Sequence, residues 1–143
     1  MNKEVIILVS ETRWKNANYE LMAKELIDTE LKLAYIKNSD VSIIYLSSDN
    51  AKVHNGGRTL GQCERVQDKY RWAIDADFTI TLFEPNIEGR TEEIIKRILY
   101  HELLHVGIEK DRKGNVIYSV NPHDCEDFRD CIERWGVNWS VIL

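Results

Sequence analysis

Residues 91–107 read TEEIIKRILYHELLHVG, and this stretch decides how the rest of the chain is organised. Thr91 is a helix-capping residue type. Glu92 and Glu93 follow where the free N–H groups of a first turn favour negative charge, and Gly107 suits a left-handed exit. The spacing predicts a helix over residues 91–106. At about 100° per residue, His101 and His105 fall within about 40° of each other, on the stripe that carries Ile94 and Ile98, and Glu102 lies about 60° beyond His105. Leu99, Leu103, Leu104 and Val106 widen the apolar surface, so the helix is expected to be central.

Inside this helix His101, Glu102 and His105 form H-E-x-x-H. A lone histidine on an apolar face more often satisfies its hydrogen bonds inside the core than binds a ligand. Two histidines one turn apart with a glutamate between them differ, because burying a carboxylate beside them is costly unless a cation offsets the charge. Both imidazoles can reach one zinc ion while the glutamate stays outside the coordination sphere, near a bound water. There it can take the water's proton and hand it to a leaving amine, while the metal polarises a carbonyl.

A catalytic site of this kind needs a third protein ligand and an open position. His123, in NPHDCEDF, lies 18 residues after His105 and is the first candidate. Asp124 and Glu126 are the alternatives, since carboxylates also bind zinc. His54 sits apart, in a glycine-rich loop. Cys125 shares a stripe with Phe128, Cys131, Ile132 and Trp135, which points to packing. Asp124 suits either a helix cap or an outer-shell partner of a ligand histidine. Tyr100 and Tyr118 are candidate donors to a developing oxyanion. Trp135 and Trp139 read as residues that pack the C-terminus onto the core.

The 143 residues, 43% hydrophobic and 30% charged, fit one globular domain spanning 1–143. The net charge is −5, and only Lys110, Arg112 and Lys113 cluster among the basic residues, which argues against nucleic acid as a partner. No stretch approaches the roughly 18 apolar residues of a membrane span, so no membrane partner is expected. The apolar run of residues 5–9 is too short for a signal-peptide core. Cys63, Cys125 and Cys131 are an odd, sparse set, which fits a reducing cytoplasm.

Periodicity places a buried strand at residues 5–9, a long helix over residues 16–36 and a strand at residues 41–46. Residues 47–58, with Asn55-Gly56-Gly57, read as a loop or hairpin turn. A second strand signal runs through residues 60–74. FTITLF, residues 78–83, alternates large apolar residues with threonines, the pattern of a strand with one buried face. Pro85 and Gly89 turn the chain. A turn at 111–115, a strand at 116–120 and a last helix over 124–135, ended by Gly136, complete the reading. The mixed order predicts an α+β fold.

ILYHELLHVG, a short hairpin with Gly114, PHDCEDF and the closing RWGVNW together resemble the phage metallopeptidase family of small zincin-like domains. The resemblance extends more loosely through LGQC and DFTITLF, covering about residues 51–139, while the first 50 residues match only in a long helix and a strand. It implies a small mixed sheet packed on a long N-terminal helix and the central H-E-x-x-H helix, with a C-terminal helix. It also implies a zinc peptidase acting on protein or peptide substrates in a host cytoplasm, with one zinc ion on His101, His105 and His123 and with Glu102 as base. Zincins pair extended substrates with an edge strand ahead of the active helix, a place that Phe78–Phe83 fills here. SprT-like metalloproteases are more distantly similar, although Phe128 follows His123 by five residues rather than four. A zincin-like binding module with a structural metal and a regulatory protease that cuts a phage repressor or host defence protein are the alternative readings.

Overall fold

A computed structural model of the chain describes residues 11–123 together with residues 134 and 135. The predicted strand at 5–9 and most of the predicted helix at 124–135 lie outside the described residues.

Strand β1 (Arg13–Lys15) leads into helix α1 (Ala17–Thr29). Asn16 starts the helix: its Oδ1 accepts from the N–H groups of Asn18 (3.0 Å) and Tyr19 (3.1 Å), and its Nδ2 donates to Ser47 Oγ (3.0 Å). The predicted single helix over residues 16–36 does not form. Glu30 turns extended (φ −89°, ψ 119°), Leu31–Leu33 makes a 3₁₀ turn, and the four-residue helix α2 (Ala34–Lys37) follows. Thr29 Oγ1 bonds back to the Glu25 carbonyl, and Glu30 is drawn to Arg134 at 2.6 Å. The redirected chain buries Leu33 and Ile36 in the core.

Strand β2 (Ile43–Ser48) comes next, then a small hairpin of β3 (Val53–His54) and β4 (Gly57–Arg58). Asn55 (φ 50°) and Gly56 (φ 78°) both take the left-handed region, the geometry of a tight hairpin turn, as their sequence predicts. Strand β5 (Gly61–Arg65) ends earlier than the predicted 60–74. The Val66 N–H bonds the Asp77 carbonyl at 2.9 Å, and Asp77 accepts from Ser42 N and Arg71, folding residues 66–77 back through a 3₁₀ turn at Asp68–Tyr70.

Strand β6 (Phe78–Phe83) pairs in parallel with β2 and antiparallel with β5, giving the sheet order β1-β2-β6-β5. It is therefore an interior strand, which corrects both the edge position and the single buried face expected of FTITLF. Thr81 is fully buried and accepts a hydrogen bond from Arg13 Nη1 at 3.2 Å, so its hydroxyl is satisfied inside the protein. The edge beside the H-E-x-x-H helix is β5. A short helix α3 (Glu84–Ile87), with Pro85 in its first turn, and Gly89 (φ 78°) turn the chain as predicted.

Helix α4 (Glu92–Leu104) starts where Thr91 Oγ1 accepts from Ile94 N at 3.4 Å, and it packs against α1, β5, β6 and the following strand. Its exit differs from expectation. His105 stays right-handed (φ −75°, ψ −16°), and Val106 directly begins β7 (Val106–Lys110). Gly107 thus lies inside a strand and makes no left-handed cap. The turn at 111–115, built on Asp111 with Gly114 at φ 83°, and β8 (Val116–Val120) match their predictions. The class is α+β as expected, and among the described residues no helix is long and apolar enough to cross a membrane.

Candidate metal centre

The last turn of α4 and the segment after β8 converge on one point. His101 and Glu102 project from the helix, His105 caps its end, and the β7–β8 hairpin returns the chain through Asn121 and Pro122 to His123. One ligand atom from each histidine lies within 4.8 Å of the other two. His101 Nε2 and His123 Nε2 are 3.1 Å apart, and the ring centroids are separated by 4.6 to 5.2 Å.

This spacing suits a shared ion. Zinc–nitrogen bonds of about 2.0–2.1 Å in a tetrahedron separate two ligand nitrogens by about 3.3–3.4 Å. His105 Nδ1 lies 2.6 Å from the Asn121 backbone carbonyl. A carbonyl can only accept, so Nδ1 carries the ring proton and Nε2 is left with its lone pair. The donor set and this fixed ring fit a metal.

Glu102 is buried at 5% exposure, with Oε2 3.9 Å from His101 Nε2. Opposite it stands Gly61 of β5, where a Cβ would sit 3.1 Å from Glu102 Cγ and 3.2 Å from Oε2. The Glu102 side chain thus packs closely against the bare face of Gly61. Gly61, Gln62, Cys63 and Val120 join the three histidines and Glu102 around a cavity of about 190 Å³. Burial, and then the negative charge of Glu102, push the Cys63 thiol well above its ordinary range, so it stays protonated in the metal-free protein.

The three predicted ligands thus come together, with the predicted base beside them. His54 is exposed on β3, away from the site, and Asp124 and Glu126 lie outside the described residues. Tyr100 packs edge-on against Trp135 at 5.6 Å and Tyr118 against Phe78 at 5.7 Å. Sequence reasoning missed Gly61 and Asn121. A glycine within a strand signal often marks a close approach, and that signal was present in LGQC. Nothing local marks Asn121.

An α+β fold that sets three converging imidazoles beside a buried glutamate has the layout of a metal-dependent hydrolase. The chain belongs to the family described as putative phage metallopeptidase, whose model matches residues 4–143, nearly the whole length. That match includes residues 4–50, beyond the 51–139 read from motifs. It supports a peptidase, and a metal in it, at the level of the family. No curated protein and no solved structure shows significant similarity to the chain.

Proposed function

We propose that the protein is a zinc-dependent peptidase of zincin-like architecture, with His101, His105 and His123 as ligands and Glu102 as general base. One observation carries the reading: three histidine ligand atoms lie within 4.8 Å of one another beside a buried carboxylate. Three neutral imidazoles suit zinc among the common divalent ions. Bound there, zinc would polarise a peptide carbonyl and acidify a water.

The chain's own residues do the rest. Glu102 takes the proton of the attacking water and delivers it to the leaving amine. Its burial against Gly61 limits the directions in which the carboxylate can turn. The antiparallel edge strand β5, in place of the interior β6, offers backbone groups to an extended peptide, laying the scissile bond along Gly61–Cys63 beside Glu102. The substrate is accordingly a protein segment or peptide in extended form.

Elemental analysis combined with digestion of a peptide library tests this. The expected result is one zinc per chain and cleavage that Glu102→Ala lowers by about 10²–10⁴-fold with metal and fold retained. Undiminished cleavage by Glu102→Ala refutes the role of Glu102. Zinc without any cleavage favours a binding module whose metal is structural.

A further inference from the structure

Asn121 makes four hydrogen bonds from across the hairpin, three to the end of α4 and its cap and one to the first residue of β7. Its N–H donates to the His105 carbonyl (2.7 Å), and its own carbonyl faces His105 Nδ1 (2.6 Å). Its side-chain Nδ2 donates to the carbonyls of Leu104 (3.3 Å) and Val106 (3.2 Å). The last carbonyls of a helix lack partners within the helix, and here a residue 16 positions beyond His105 supplies them.

Room for this clamp comes from Gly107. A Cβ there would stand 2.7 Å from Asn121 Oδ1, 2.6 Å from the Ser119 carbonyl and 2.7 Å from Ser119 Oγ. The glycine is required for space, since its φ is not left-handed. Only Pro122, with its restricted φ, separates Asn121 from His123. The same residue therefore holds one imidazole directly and anchors the backbone that carries another.

We propose that Asn121 is a positioning residue: seated over Gly107, its side chain locks its backbone so that its carbonyl fixes the His105 ring and the next residues deliver His123. This rests on the reading of the three histidines as metal ligands. The competing explanation is a plain helix cap, and Tyr35 provides the comparison. Its hydroxyl donates to the same Val106 carbonyl at 2.6 Å, yet the contact does not involve an imidazole.

Zinc affinity, measured by competition with a chromophoric chelator, and thermal melting of the metal-free protein are compared for wild type, Asn121→Ala and Tyr35→Phe. Full loss of an outer-shell partner lowers metal affinity by about 10–100-fold. Asn121→Ala keeps the backbone carbonyl and removes only the side-chain bonds that hold it, so a loss of about 10-fold is expected, whereas Tyr35→Phe should melt earlier but bind within about threefold of wild type. Equal affinity in Asn121→Ala and wild type overturns the proposal, as does an equal loss in both variants. A wild type without zinc affinity overturns the metal reading and this role with it, a result distinct from a wild type and variant that bind alike. Should Asn121→Ala fail to fold, long-range ¹H–¹⁵N spectra of the metal-free wild type decide. A His105 proton on Nδ1 supports the clamp, and a proton on Nε2 overturns it.

Discussion

Gly61→Ala presses a methyl group against the Glu102 side chain. The new Cβ would stand 3.1 Å from Glu102 Cγ, 3.2 Å from Oε2 and 3.2 Å from Ile98 Cγ2. Carbon contacts settle near 3.5 Å or beyond, so roughly 0.3–0.4 Å of movement is needed. Ile98 is held in the core at 2% exposure, which leaves the Glu102 carboxylate to move. A 1 Å misplacement at a reacting centre costs about 10²-fold, so a third of that distance scales to about 1 kcal/mol, or roughly fivefold in kcat. Overpacking of about 1–3 kcal/mol is partly offset by the about 0.4–1 kcal/mol gained when a glycine is removed from the unfolded chain. A net loss near 1 kcal/mol lowers Tm by about 2–4 °C. The assay is steady-state hydrolysis at saturating zinc and peptide, beside a zinc titration. A reduced kcat with unchanged zinc affinity is expected. Unchanged kcat in the folded variant, or lost zinc affinity with kcat intact, would refute the idea that β5 holds the base in place.

Glu11 is held below its ordinary value of 4.5 by hydrogen bonds from the Arg13 guanidinium and then the Ser48 hydroxyl. Its folded-state pKa is depressed, so its contribution to stability is present above the unfolded value and is lost as pH falls through the folded one. Melting curves across the acid range should show Glu11→Gln with a flatter decline than wild type; an identical decline contradicts this. Alkylation at mild alkaline pH, mapped by mass spectrometry, should spare the buried thiol of Cys63 in the native protein and reach it after unfolding. Fast native labelling of Cys63 would show that the site is open. Asn16→Ala removes the cap of α1 and its tie to Ser47, and should cost about 1 kcal/mol in denaturant unfolding.

What the sequence made legible was local or periodic. Thr91 and its two glutamates marked the start of α4, the four-residue spacing of His101 and His105 placed both on one stripe, and Asn55-Gly56 announced its turn. The break after Thr29 was hidden because the apolar spacing continues through Leu33 and Ile36, and only the core they enter requires the bend. FTITLF read as one-faced because threonine is semi-polar. Its buried Thr81 depends on Arg13, 68 residues away. Gly107 after an apolar helical run has the pattern of a helix terminator, but glycine serves both conformational freedom and close approach, and the strand crowding it comes a dozen residues later. The pairing of Gly61 with Glu102 and the clamp of Asn121 are likewise long-range contacts, absent from any local pattern.

Anomalous scattering at the zinc edge, from crystals of the wild type and of His123→Ala grown with zinc, tests the central claim most directly. The account predicts a single strong peak among the imidazoles of His101, His105 and His123 in the wild type, and its loss or marked weakening in His123→Ala. A peak elsewhere, no peak, or an undiminished peak without His123 would contradict it.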